Sequence, residues 1–296
     1  MKVTVFGSYN IDKVYNMPRL PEKGETLYCT GYEIQVGGKG LNQALAFSKA
    51  GAQVVAAGKV GKDGNYLTDY LEKNGVDTSA IDFSGEFTGH TIIEIDPEGQ
   101  NQMILFGGAN REITPEYCDT LLSQHRDSEL LLMQYETSCV EYMLEKAHGM
   151  GIKTALNPSP YVDEIKNIPF EFVDLLILNE YEGESITGKS DPEEIAKALY
   201  NLGPSQIILT LGGKGAVYYD GGEPVFCPAF NVKAVDTTGA GDTFTGYCLY
   251  DMLSGVFPYE AMRKGCAASA IEVTKPGAAE TIPSGSEVEE FLRNNG

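Results

Sequence analysis

Short apolar runs separated by polar, glycine-punctuated stretches set the rhythm of this chain. The first, Val3–Phe6, ends at Gly7 and predicts a buried strand. Similar runs at Val54–Ala57, Leu130–Met133, Thr154–Leu156, Leu175–Leu178 and Ile207–Thr210 predict further strands. A near-continuous apolar run of this length suits a strand covered on both faces. Helical segments fall between them: Leu41–Ala50, closed by Gly51; about Tyr66–Lys73, stopped by Asn74-Gly75; Pro115–Gln124; Val140–Met150; and Pro192–Leu202. Two longer helices are predicted near the end, about Gly241–Leu253 and Tyr259–Val273. Two hairpins are marked by turn composition, one around Asp96-Pro97-Glu98-Gly99-Gln100 and one around Asp220-Gly221-Gly222.

Strands alternating with helices predict an α/β fold. Its doubly wound, mostly parallel central sheet would be flanked by helices, with ligands at the carboxyl ends of the strands. Two early segments break the rhythm, about 12–36 and 87–107, and these are expected to pair as a small separate sheet. No internal repeat divides the chain, and residues 1–296 are read as one domain.

Composition narrows the function classes. The chain has 296 residues, 42% of them hydrophobic, enough for a large core without disulfides. Its six cysteines (Cys29, Cys118, Cys139, Cys227, Cys248, Cys266) form no C-x-x-C pair, and with three histidines no zinc-ligand spacing arises. Forty-two acidic residues against 22 basic ones give a net charge of −20. Such a surface repels nucleic-acid backbones and anionic membranes, so neither is expected as a partner. The start, MKVTVFGSYN, reads as a strand entering a turn, and no apolar run approaches the ~20 residues of a membrane span. A cytoplasmic protein is expected. An anion-binding protein of this charge must focus its positive groups locally.

Five places have that character. In Asp236-Thr-Thr-Gly-Ala-Gly-Asp242, a strand ending at Val235 would lead to a helix beginning at Gly241. Free N–H groups and about half a positive charge face outward from such a helix start, and the glycines admit a phosphate closely. Asp242 there either caps the helix or removes a proton from a hydroxyl attacking the bound phosphate, and the pattern alone leaves both open. Gly37-Gly38-Lys39-Gly40-Leu41-Asn42-Gln43-Ala44 opens a helix but lacks Walker A spacing. It suits a polyhydroxyl ligand, a phosphate oxygen, or a plain loop with a solvated lysine. Thr210-Leu-Gly-Gly-Lys-Gly215 either admits a nucleotide or forms a strand-to-strand turn. Asn179-Glu-Tyr-Glu182 follows an apolar strand and either orients Mg²⁺ through its waters or starts a helix. Asn10 and Asp12, with Glu136 beyond a later strand, either grip sugar hydroxyls or form Asx turns.

The order of these strings closely resembles that of the ribokinase-like (PfkB) carbohydrate and nucleoside kinases. The resemblance rests on Gly-Gly-Lys-Gly-x-Asn-Gln-Ala early, Asn-x-x-Glu in the middle and Asp-Thr-x-Gly-Ala-Gly-Asp-x-Phe late, and it runs from Gly7 to Thr274. It implies Asp242 as catalytic base and Gly239, Ala240 and Gly241 as the anion hole. It implies Asn179, Thr210, Gly212, Gly213, Lys214, Gly215 and Gly241 at the nucleotide, and Glu182 near Mg²⁺. Asp236 and Thr238, with Glu272, Lys275, Gly277 and Thr281, match a loop that binds a monovalent cation, K⁺, partly through backbone carbonyls. Positions that contact the sugar in ribose-phosphorylating members align with Asn10, Asp12, Gly38, Lys39, Asn42 and Glu136.

The implied activity is transfer of the ATP γ-phosphate to the 5-hydroxyl of D-ribose, with Mg²⁺ and K⁺ as cofactors. Segments 12–36 and 87–107 would form a lid sheet that joins two subunits into a homodimer. The same chemistry on deoxyribose, a ketohexose or a nucleoside is the alternative, as is a non-catalytic sugar-binding regulator. A dinucleotide-dependent oxidoreductase is disfavoured by the lack of G-x-G-x-x-G after the first strand. Tyr9, Leu41 and Tyr135 depart from the family pattern beside presumed sugar ligands and are expected to shape the pocket. Gly265 stands where many members carry Asn near the adenine.

Overall fold

The structure is a computed structural model describing residues 1–295. In chain order the strands are β1 (Lys2–Phe6), β2 (Asn10–Asn16), β3 (Gly31–Gly37), β4 (Gln53–Gly61), β5 (Asp77–Gly85), β6 (Gly89–Ile95), β7 (Asn101–Phe106), β8 (Leu130–Gln134), β9 (Thr154–Asn157), β10 (Leu175–Asn179), β11 (Gln206–Thr210), β12 (Gly215–Tyr219) and β13 (Val225–Pro228). The α-helices are α1 (Lys39–Ala50), α2 (Asn65–Lys73), α3 (Pro115–Gln124), α4 (Val140–Gly149), α5 (Glu180–Thr187), α6 (Pro192–Tyr200), α7 (Ala240–Leu253), α8 (Pro258–Glu272) and α9 (Gly285–Asn294).

Among the described residues, nine strands form the central sheet in the order β13-β12-β11-β10-β9-β8-β1-β4-β5. It is parallel from β11 to β5, and β12 and β13 extend one edge antiparallel. The chain leaves β1 towards β4 and β5, then returns to build β8 through β11 on the other side. That reversal opens a crevice at the carboxyl ends of the strands.

Two apolar layers clamp the sheet. Leu41, Leu45 and Phe47 of α1 and Phe244 and Tyr247 of α7 fill one face. Leu121 of α3, Met143 and Leu144 of α4 and Ile195 and Leu199 of α6 fill the other. Each fully buried aliphatic or Phe side chain contributes roughly 1.5–3 kcal/mol. Helices α1 and α7 touch at their backbones: a Cβ added at Gly246 would lie 2.7 Å from the Phe47 nitrogen. Glycine there lets two helices of different halves of the chain share one end of the crevice.

The interrupting segments pair with each other as expected, in a four-stranded sheet ordered β3-β2-β6-β7. Its inner pair, β2 and β6, is parallel and both outer pairs are antiparallel. Asn10 and Asp12 therefore sit on a strand and not in an Asx turn.

One expectation needs correction, and two further elements are present. Val235 does not end a strand; the chain from 229 to 239 is irregular, and the Val235 and Asp236 N–H groups both donate to the Val273 carbonyl (2.6 and 3.2 Å). Strand β5 was not anticipated because its Asp-Thr-Ser-Ala-Ile-Asp sequence is largely polar, as an edge strand permits. Helix α9 was also not anticipated, although Ser284 and Glu287 form a complete capping box at its start.

Candidate active site

Asp242 lies in the first turn of α7 and is buried, with 6% of its surface exposed. Gly239 precedes the helix with φ 82°, a left-handed conformation that glycine adopts without strain. Of the first-turn N–H groups, that of Ala240 donates back to the Thr237 carbonyl (3.3 Å), while Gly241 lines the cavity. The Ala240 carbonyl accepts from Ser269 Oγ and the Gly241 carbonyl from Thr245 Oγ1, both at 2.7 Å, which fixes the turn.

The carboxylate is held from behind by α1. Asn42 Nδ2 donates to one oxygen (3.1 Å) and Gln43 Nε2 to the other (2.8 Å). Gln43 Nε2 also donates to Asn157 Oδ1 (3.1 Å) and its carbonyl accepts from Gln134 (2.7 Å); Asn157 in turn donates to the Ile177 carbonyl (2.9 Å). Three buried amides thus run from the sheet to the acid, each oriented by its neighbours. A residue that only capped its own helix would bond to that helix's backbone. Asp242 instead spends both oxygens on side chains of a distant helix.

Lys39 supplies the local positive charge. Burial opposes its ionisation, yet Asp242, Glu136 and Glu182 together hold its pKa above the ordinary lysine value. These acids come from α7, the loop after β8 and α5, so the Lys39 charge is felt by three separate elements. One cavity is lined by Lys39, Asn157, Asn179, Glu182, Gly241 and Asp242.

On the small-sheet side, Asn10 accepts from Asn110 (2.8 Å), which also receives the Tyr9 N–H (3.1 Å). Glu136 accepts from Ser8 Oγ and from the Lys39 N–H. Burial pushes Asp12 up to about 6, opposed by a hydrogen bond from Thr91 and reinforced by the Glu136 charge. Asp12 Oδ1 and Asn42 Oδ1 are both buried without a partner. Burying such acceptors unpaired is costly, so their arrangement suits a ligand rich in hydroxyl donors. Gly38 (φ 96°) brings the backbone against Ser8 and Asn10 at the same end.

On the opposite side, Asn179 and Glu182 form a capping box on α5: the Glu182 N–H donates to Asn179 Oδ1 (2.9 Å) and the Asn179 N–H to Glu182 Oε2 (3.0 Å). Glu182 is buried and reaches the cavity. Thr210 ends β11, and Gly212, Gly213 and Lys214 form a single 3₁₀ turn that leads at Gly215 into the antiparallel β12. Lys214 pairs with Glu180 at 3.1 Å across the mouth of this region.

The 236–239 segment packs on the turn after α8. Asp236 accepts from the Thr238 N–H (2.9 Å) and the Gly277 N–H (3.0 Å). These two bonds outweigh partial burial and hold its pKa below the ordinary value. Thr281 Oγ1 donates to the Ala278 carbonyl (2.7 Å), and Lys275 points outward to Glu287 (3.8 Å). Glu272 is buried beside this loop; burial pushes it up to about 8, with Thr243 opposing and the Asp242 and Asp236 charges reinforcing. Among the described residues no three His, Cys, Asp or Glu side chains cluster closely enough to hold a metal by themselves. A cation here must also use hydroxyl and carbonyl oxygens.

Tyr9 is wholly buried, its hydroxyl donating to the Val5 carbonyl (3.2 Å), and Leu41 packs in the core. Tyr135 donates to Glu141 (2.5 Å). Gly265 faces Phe244, where a Cβ would lie 2.8 Å from the ring, so its role is close packing of α7 on α8. Residues the sequence did not single out, Gln134, Asn157 and Asn110, carry much of the polar framework.

A buried carboxylate beside a glycine-rich helix start, faced by a lysine and flanked by unpaired acceptors, defines a phosphotransferase acting on an alcohol. The chain belongs to the pfkB family of carbohydrate kinases, whose model matches residues 1–285. It is 36% identical to a ribokinase of Haemophilus influenzae over 99% of this chain and 98% of that protein. It is 32% identical to a deoxyribokinase of Salmonella typhimurium over the full length of both. The structure of Arabidopsis thaliana ribokinase complexed with ribose and ATP superimposes with a TM-score of 0.87 at 28% identity, covering 98% of each chain. No helix of the described residues is long and apolar enough to cross a membrane.

Proposed function

We propose that this protein transfers the γ-phosphate of ATP to the 5-hydroxyl of D-ribose. The observation that carries this reading is the Asp242 carboxylate, fixed by Asn42 and Gln43 and set at the Gly239–Gly241 helix start opposite Lys39. Asp242 takes the proton of the attacking hydroxyl. Gly239, Ala240 and Gly241 present N–H groups to the negative charge that develops on the transferring phosphoryl, a term that counts strongly in a water-poor site. Lys39 holds the phosphate oxygens and offsets the acids around it.

Asn10, Asp12, Gly38, Asn42 and Glu136 bind the remaining sugar hydroxyls. A sugar lacking one leaves a buried acceptor unpaired, which is the physical source of selectivity. Asn179, Thr210 and Gly212–Gly215 receive the nucleotide. Glu182, with a carboxyl in the cavity, is suited to hold water ligands of Mg²⁺, which supplies charge neutralisation at the phosphates. Asp236, Thr238, Gly277 and Thr281, with the Glu272 and Lys275 carbonyls, would hold K⁺ beside the anion hole.

The small sheet acts as a lid over the sugar. All six residues of β7 are exposed, including Met103, Ile104, Leu105 and Phe106. An apolar edge strand of this kind invites pairing, and we assign it to a second copy of the chain. The site of action is the cytoplasm, where ATP is supplied.

A panel of D-ribose, 2-deoxyribose, fructose and a nucleoside in a coupled ADP-release assay tests the acceptor. Ribose is expected to give the highest kcat/KM. The relative named deoxyribokinase favours a second reading, and equal use of ribose and 2-deoxyribose would establish it in place of the first.

A further inference from the structure

Glu272, the last residue of α8, is 1% exposed, and neither of its carboxyl oxygens has a hydrogen-bond partner. Its Oε1 lies against the open face of Gly239, 2.9 Å from where a Cβ would sit, and Ala278 lines the same side. The Thr243 hydroxyl faces the carboxyl, is itself fully buried, and is likewise unpartnered. Nearby N–H donors are already engaged, since those of Thr238 and Gly277 serve Asp236. The charges bearing on Glu272 are Asp242 and Asp236, opposed by Lys49, whose Nζ is committed to the Ile282 carbonyl at 2.5 Å. Glu272 and Thr243 therefore leave three buried oxygen atoms without a partner beneath Gly239 and beside the Asp236 loop.

We propose that the Glu272 carboxylate and the Thr243 hydroxyl are direct ligands of a monovalent cation held beneath the Gly239–Gly241 loop. The inference rests on the cation-loop reading above and changes its chemistry. There position 272 contributes its backbone carbonyl and Asp236 is the charged ligand; here two carboxylates share the ion. A buried carboxylate is stabilised by a counter-charge, and an all-oxygen set of carboxylate, hydroxyl and carbonyls suits a hard cation. The lack of a three-acid cluster leaves the set too weakly charged and too loosely spaced for a dedicated divalent site. Greater ligand charge raises affinity, so this chain should saturate at lower K⁺ than a site with Asp236 alone.

Thermal unfolding of the whole protein, titrated with KCl, NaCl or CsCl against tetramethylammonium chloride at constant ionic strength, reads cation binding without turnover. Wild type is expected to show a saturable rise in Tm with K⁺. Glu272→Gln keeps the volume and removes the charge; its half-saturating K⁺ is expected to rise at least about 10-fold, the scale seen when groups around a bound metal are lost. Thr243→Val is expected to shift it in the same direction. In cation-free buffer Glu272→Gln is expected to melt within a few degrees of wild type, because glutamine fills the same volume. A variant with unchanged half-saturation overturns the Glu272 assignment and leaves the cation loop standing. Wild type unresponsive to all three cations overturns both.

Discussion

Asp242→Asn isolates the proton-accepting role from the architectural one. Asparagine has the same outline, but one carboxylate oxygen becomes an NH₂ group facing a donor. At Gln43 that clash has no relief, because the Gln43 amide is oriented by Gln134 and Asn157. At Asn42 it has one: Asn42 Oδ1 is buried and free, so its amide can turn over and accept from the new side chain. The variant thus keeps two hydrogen bonds, both now between neutral groups. The net stability change is expected to be about 1 kcal/mol, or roughly 2–4 °C in Tm for a chain of this size. Loss of a positioned base costs about 10²–10⁴-fold in rate, equivalent to ~2.7–5.4 kcal/mol of transition-state stabilisation. Initial rates of ADP release, with ribose binding followed by calorimetry, separate the two. Turnover within tenfold of wild type would refute the assigned base. A fall in Tm beyond about 10 °C would show that Asp242 serves the helix junction instead.

Other consequences are equally open to measurement. Asp12, pushed up to about 6 by burial, carries its proton in the free enzyme below that pH. Ribose KM is therefore expected to rise as pH falls from 7 to 5 in wild type and to be pH-independent in Asp12→Asn. The same shift has a stability sign: between about pH 4 and 6 the native state keeps a proton that the unfolded chain has lost, so this group's contribution falls as pH rises through that window. Gly246→Ala drives a methyl against the Phe47 nitrogen and should cost about 1–3 kcal/mol in denaturant unfolding. Ile104→Asp on the exposed β7 should yield monomers in light scattering without changing the Tm by more than a few degrees.

The glycine-rich run at 236–242 was legible because its chemistry is local: a helix start, a positive-φ glycine and an acid within one turn. So were the alternating elements of the central sheet. The amide framework was not, since Gln43 meets Gln134, Asn157 and Asp242 across 91, 114 and 199 residues of chain. Such contacts exist only once β8, β9 and α7 have been set side by side. Side-chain direction is hidden for a related reason: Leu41 and Asn42 adjoin on α1, yet helical rotation sends Leu41 into the core and Asn42 to Asp242. Val235 showed strand-like residues with no neighbouring strand to pair with, and became an anchored loop. The capping box of α9 was readable in Ser284-Gly-Ser-Glu287 and marked a helix that apolar periodicity left weak.

The amides behind Asp242 also decide where its proton can go. Gln43, Gln134 and Asn157 do not titrate, and their amides link Asp242 to the Ile177 carbonyl without any group that can take up or release a proton. The rear of the site is a cul-de-sac for protons. Whatever Asp242 accepts during one turnover must leave by the mouth of the crevice, the route by which product departs. Resetting the base and emptying the site then share a single exit, and buffer access to that mouth governs both.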